Sequence, residues 1–182
     1  YVDYVDNRFP QHLADWGRGD WVPVTVGSNK ELTSSVYFYT DARILANAAR
    51  LFGKTADAER YGRLADDIRQ AINDRYLNRE TGIYASGTQT EQSVPLYWGV
   101  VPHECEALVA KRLNERVQAA DYHLDVGVLG CKALLGALSQ HGYPETAYRV
   151  AVQDSYPSWG WWVRNGSTTL LENWRLDAER DI

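Results

Sequence analysis

The 182 residues carry a net charge of −5, with 45% hydrophobic and 24% charged side chains, which excludes a disordered chain and supports one domain with a sizeable core. Lys and Arg are scattered rather than clustered, so nucleic acid is excluded as the expected partner. The longest apolar runs are far too short to span a bilayer, so no membrane partner is expected.

Residues 1–30 form a polar and aromatic lead-in. The sequence opens at Tyr1, contains no methionine and shows no apolar signal segment, so it is expected to be a piece of something longer. Within the lead-in, "DWGRGDWVPV" places Asp15, Trp16, Asp20 and Trp21 in a glycine-broken loop. An Asp–Trp pair can bind sugar hydroxyls while the indole stacks on the ring, or it can form a turn in which Asp bonds its own backbone. Arg18-Gly19-Asp20 also spells an adhesion tripeptide, which carries meaning only where it is exposed. "VPVTVG" is the one stretch with two-residue alternation.

Helical periodicity then takes over. "ELTSSVYFYTDARILANAARLFGK" sets Leu32, Val36, Tyr39, Leu45, Ala49 and Phe52 on one stripe, and Gly53 is its stop signal. "TADAERYGRLADDIRQAINDRYL" repeats the pattern with Ala58, Tyr61, Leu64, Ala65, Ile68, Ile72 and Tyr76. A turn-rich connection follows, then a shorter segment over Glu91 to Val100. "HECEALVAKRLNERVQAA", "VGVLGCKALLGALSQHG" and "YPETAYRVAVQD" read as three further helices, and a last one is expected from Thr168 or Thr169. Seven helix-like segments joined by short loops predict antiparallel helical hairpins, stacked in an array or arranged in a ring. The fold class is all-α.

Cys105 and Cys131 fall in helical segments and are expected to be buried free thiols. The four histidines, His12, His103, His123 and His141, show no metal-ligand spacing, and no metal or cofactor is expected. His123 precedes an expected helix start, where it either lines a site or packs as an ordinary polar residue.

The last stretch, "SYPSWGWWVRNGSTTLLENW", crowds Trp159, Trp161, Trp162 and Trp174 around a single carboxylate, Glu172. Loop tryptophans plug helix ends, or their flat rings and N–H groups bind sugars. Thr169-Leu-Leu-Glu172 matches a capping box. The same helix N-terminus would favour an ionised carboxylate, as a general base requires.

Taken in order, "GDW", "SSVYFYTDARILANAARLFGK", "GTQT", "HLDVGVLGCKALLGAL" and "YPSWGWWVRNGSTTLLENW" resemble the second half of the catalytic domain of bacterial α-L-rhamnosidases, glycoside hydrolase family 78. The likeness covers nearly the whole sequence. It implies that residues 1–182 are one partial catalytic domain, the C-terminal half of an (α/α)6 toroid of six helical hairpins. It further implies inverting hydrolysis of terminal α-L-rhamnosyl linkages by an acid and a base about 6.5–9.5 Å apart, with no metal in the chemistry. Glu172 aligns with the general base. Trp21 aligns with a tryptophan that packs against rhamnose, Asp20 beside it is a hydroxyl partner, and Trp159 falls in the signature lining that pocket. Trp161 and His123 complete the expected substrate contacts. The family's general acid lies in an acidic motif before "GDW" that is absent here. The implied partners are therefore a rhamnose-containing glycoside and the remainder of a parent polypeptide, and the isolated piece is expected to be inactive. Leu171 stands where the family often has Trp, and "WGWWV" is more aromatic than the usual signature. The alternatives are another (α/α)6 glycosidase of the trehalase or glucoamylase kind, or a non-catalytic carbohydrate-binding helical module.

Overall fold

A computed structural model of the protein describes residues 1–176. Among them the chain forms α1 (Val2–Arg8), α2 (Lys30–Leu51), α3 (Thr55–Tyr76), β1 (Leu77–Asn78), β2 (Ile83–Tyr84), α4 (Gln89–Trp98), α5 (His103–Ala119), α6 (Val128–Gln140), α7 (Pro144–Ala151) and α8 (Trp159–Arg164). The local chemistry explains most of these limits. Asn29 caps α2 by accepting from the Leu32 amide at 3.0 Å, and Gly53 ends it in the left-handed region at φ 68°. Of the predicted stripe, α3 buries Ala58, Leu64, Ala65, Ile68 and Ile72, while Tyr61 and Tyr76 are half-buried. The capping box of this fold lies at α4, where Thr88 and Glu91 exchange hydrogen bonds, two residues before the expected start of that segment.

Three hairpins, α2–α3, α4–α5 and α6–α7, build the body of the molecule. α4 packs against α2 on one side and α6 on the other, while α3, α5 and α7 back them. This is the expected all-α arrangement of helical hairpins, half of the six in an (α/α)6 toroid. Every residue of α4 from Gln89 to Leu96 is buried, although five of the eight are polar. Such burial requires partners. Glu91 has them: its Oε1 accepts from the Asn29 amide at 2.8 Å, and its Oε2 accepts from Ser86 Oγ at 2.7 Å and from the Ser86 and Thr88 amides at 3.1 Å. Gln92 accepts from the Tyr84 amide and donates to Gly82 O, which ties the β1–β2 hairpin to the central helix.

Several expectations change. The alternating "VPVTVG" forms no strand: Val22 sits at φ 56°, and the Thr25 amide and hydroxyl both donate to Asp125. α1 and α8 are helices that periodicity did not announce. No helix begins at Thr168 or Thr169 within the described residues, where residues 167–176 run irregularly. A tertiary anchor overrides the local capping pattern there. Trp174 is 4% exposed, its indole N–H donates to Val126 O at 2.7 Å, and its ring stacks on Trp162 at 4.6 Å.

On α2, Leu45 and Phe52 belong to the predicted buried stripe but lie open, Phe52 at 79% exposure. With Ile44 and Leu51 they form an apolar face that no helix among the described residues covers. Cys105 and Cys131 are free thiols, the first buried and the second half-buried. No helix of the described residues is long and apolar enough to cross a membrane.

Candidate active site

The site begins with an unsatisfied helix end. α6 starts after Gly127, which offers no capping side chain, so the first amides of the helix need acceptors from elsewhere. Asp20 supplies them across more than a hundred residues. Its Oδ1 accepts from the Leu129 and Gly130 amides at 2.9 and 3.1 Å, and its Oδ2 accepts from the Gly127 amide at 2.7 Å and from the Thr90 hydroxyl. The Trp21 carbonyl accepts from the Val128 amide at 3.0 Å. One Asp–Trp dipeptide thus caps the whole helix start, with the carboxylate charge in the positive field of that terminus.

The close approach requires glycine on the other side. A Cβ at Gly127 would lie 2.2 Å from Trp21 O, and one at Gly130 would lie 2.3 Å from Thr90 Oγ1. Gly127 thus lets "DVGVLG" meet the backbone of "GDW", while Gly130 leaves room for the Thr90 hydroxyl.

This geometry corrects the expected role of Asp20. The residue is 4% exposed and both carboxylate oxygens already hold two donors each, so no acceptor is left for a sugar hydroxyl. The same burial excludes the adhesion reading of Arg18-Gly19-Asp20. Asp20 places Trp21 instead.

Trp21, pinned by its own carbonyl, turns its half-exposed ring outward and donates its indole N–H to Glu172 Oε1 at 2.6 Å, across 151 residues of sequence. Among the described residues no donor reaches Glu172 Oε2. Arg18 lies over the Trp21 ring, its guanidinium carbon 4.6 Å from the centroid. An open cleft of about 470 Å³ is lined by Arg18, Gly19, Trp21, Val128, Leu129 and Glu172. Glu172 is exposed and, among the described residues, is the only carboxylate in this lining. One of its oxygens is fixed, and the exposed carboxylate stands beside an aromatic and apolar wall. Such a carboxylate can take a proton from a bound water or accept from a hydroxyl.

The capping-box reading of Glu172 does not hold, because no helix starts at Thr169 and its carboxylate partner is Trp21. An adjoining cavity of about 220 Å³ shares Arg18, Gly19 and Leu129 with the cleft and extends to Trp16, Tyr37 and Asp41. Burial pushes the Asp41 carboxyl above the usual range.

The tryptophan-rich stretch divides into two parts. Trp162 and Trp174 are a plug: both are 4% exposed, their rings stack with an interplanar angle of 18°, and Trp162 Nε1–H donates to Trp174 O at 3.1 Å. Trp159 is half-buried, 6.3 Å from Trp174. Trp161 is half-buried and packs edge-on to Tyr156 at 5.0 Å, with its amide bonded to the Ser158 cap at 3.0 Å. Neither lines the cleft around Glu172. His123, in the loop before α6, also stands outside that lining: Nδ1–H donates to Ala120 O at 3.1 Å and Nε2 pairs with Ser155 Oγ at 2.8 Å.

Of the expected site residues, the structure joins Glu172 and Trp21 directly and places Asp20 beneath them. Arg18 is the addition that the sequence did not single out as a site residue; only its neighbourhood to "GDW" pointed to it. Among the described residues no group of three or more His, Cys, Asp or Glu is arranged to hold a metal ion.

Residues 1–181 match the family model described as the bacterial alpha-L-rhamnosidase 6 hairpin glycosidase domain. An alpha-L-rhamnosidase of Streptomyces avermitilis is 35% identical over 158 residues, covering 87% of this chain and 15% of the relative. One of Formosa agariphila is 27% identical, covering 81% of this chain and 16% of its own length. The solved alpha-L-rhamnosidase of Dictyoglumus thermophilum superposes with a TM-score of 0.89 at 35% identity, over 96% of this chain and 21% of that one. The Streptomyces avermitilis alpha-L-rhamnosidase complexed with L-rhamnose gives a TM-score of 0.90 at 33% identity, over 95% of this chain and 17% of that one. The chain therefore spans about a fifth or less of the length of these relatives.

Proposed function

Because the chain belongs to the bacterial α-L-rhamnosidase six-hairpin glycosidase family, we propose that it is one part of the catalytic domain of an inverting α-L-rhamnosidase. In this reading Glu172 is the general base. Its free Oε2 takes a proton from a water that attacks the anomeric carbon opposite the leaving oxygen, and the linkage breaks with inversion. Trp21 fixes Oε1 and walls the pocket. Val128 and Leu129 offer apolar surface suited to the C–H face and methyl group of a 6-deoxy sugar. Among the described residues the cleft holds no second carboxylate, and in this reading the general acid comes from polypeptide outside this chain. Trp159, Trp161 and His123 remain candidate contacts for more distant parts of a glycoside.

The observation that carries this reading is the hydrogen bond between Trp21 and Glu172 in an open cleft. The two residues come from opposite ends of the chain and from the two motifs that carry the family resemblance. The test is sugar selectivity, with the indole as reporter. L-rhamnose added to the full polypeptide is expected to change tryptophan fluorescence saturably, whereas D-glucose and D-mannose are not. An equal response to all three would favour another toroidal glycosidase. Binding without turnover by the full polypeptide would favour a binding module.

A further inference from the structure

We propose that Arg18 is a positioning residue for Glu172, acting through the Trp21 indole; the proposal rests on Glu172 being the general base. The guanidinium carbon stands 4.6 Å from the Trp21 centroid, and the same indole donates its N–H to Glu172 Oε1 at 2.6 Å. A cation over an aromatic face draws on the ring's electron density. The indole N–H is left more positive and becomes a stronger donor to a carboxylate. That bond fixes the orientation of the Glu172 carboxylate beside the cleft.

Arg18 has no competing duty among the described residues. It is exposed, it enters no ion pair there, and Gly17 and Gly19 flank it with positive φ. A planar, weakly hydrated guanidinium is suited to lie on an indole. Among the described residues, the other charged groups on the elements beside Glu172 are Asp20 and Arg175. Asp20 is buried and shared among the α6 amides, the first turn of α6 carries no acidic side chain, and Arg175 is exposed on the segment of Glu172 itself. Arg18, Trp21 and Glu172 therefore form a chain of contacts, with the cation at one end and the base at the other.

The test is the pH dependence of kcat/KM for an aryl rhamnoside, measured on the full polypeptide. Its acid limb reports the base of the free enzyme, and a weakened donor moves that limb to higher pH. Trp21→Phe, which keeps a ring but removes the N–H, is expected to raise the limb by about one pH unit. Arg18→Gln is expected to raise it by about half a unit. Arg18→Lys should leave the limb between those of the parent and Arg18→Gln, because an ammonium supplies the charge but not the planar stack. The double variant Trp21→Phe/Arg18→Gln should match Trp21→Phe alone, since Arg18 works through the N–H. An unmoved limb in Arg18→Gln would overturn the proposal. A further upward step in the double variant would overturn it too, by showing that Arg18 acts on the carboxylate through space. Failure of the base assignment itself would show separately, as undiminished turnover by Glu172→Gln.

Discussion

Glu172→Gln in the full polypeptide is expected to lower kcat for rhamnoside hydrolysis by roughly three orders of magnitude, with L-rhamnose affinity changed by less than about threefold. The separation follows from the contacts. Gln keeps an oxygen that can still accept from Trp21 Nε1, now held at 2.6 Å by the carboxylate, so the cleft wall stays in place. It cannot take a proton from water, so the attacking nucleophile is no longer activated. Steady-state kinetics with an aryl rhamnoside and titration with L-rhamnose measure the two quantities independently. A parallel loss of binding and turnover would mean that Glu172 holds the sugar rather than activating water.

The second large effect is structural. Asp20→Ala is expected to destabilise the protein by about 3–5 kcal/mol, a large part of the stability of a typical domain. The carboxylate holds three backbone amides at the start of α6 and the Thr90 hydroxyl, at a site 4% open to solvent. Removing it orphans four buried donors and leaves the positive end of the helix uncompensated. Asp20→Asn should be intermediate. Its amide oxygen can serve one pair of donors, but its NH2 group then faces the other pair. Urea unfolding followed by far-ultraviolet circular dichroism gives the difference directly. Because the Asp20–Trp21 dipeptide also places the indole, turnover should fall with stability. A fully stable Asp20→Ala variant would show that α6 is capped in another way.

Much of the fold was legible because it is written in 3.6-residue periodicity. The stripe predicted for α3 buries Ala58, Leu64, Ala65, Ile68 and Ile72, with Tyr61 and Tyr76 half-buried at its edge. Where local pattern and tertiary contact disagreed, tertiary contact won. Thr169-Leu-Leu-Glu172 has the letters of a capping box, but Trp174 is drawn under Val126 O and Glu172 meets Trp21. The true capping box, Thr88 with Glu91, sits at the start of α4, whose residues from Gln89 to Ser93 are polar. Those residues are buried because three helices and the β1–β2 hairpin converge on α4, which no single-helix pattern encodes. Leu45 and Phe52 failed in the opposite sense: they lie on the predicted stripe of α2, but no helix among the described residues covers them.

The site was legible only in part for the same reason. Motif order named Glu172 and Trp21, yet nothing local says that two residues 151 positions apart share a hydrogen bond. Asp20 was misassigned because a buried trans cap and a sugar-binding carboxylate use the same letters. Trp162 and Trp174 were inseparable from Trp159 and Trp161 by composition. Only packing divides the plug from the half-buried rings.

Azide rescue of Glu172→Gln, with the anomeric configuration of the product read by NMR, tests the central claim most directly. Azide needs no proton removed before it attacks, so it replaces an activated water where the base is missing. The account predicts that turnover recovers with azide concentration and that the product is the inverted β-L-rhamnosyl azide. An unrescued variant, or a product azide of retained α configuration, would contradict Glu172 as the base of an inverting reaction.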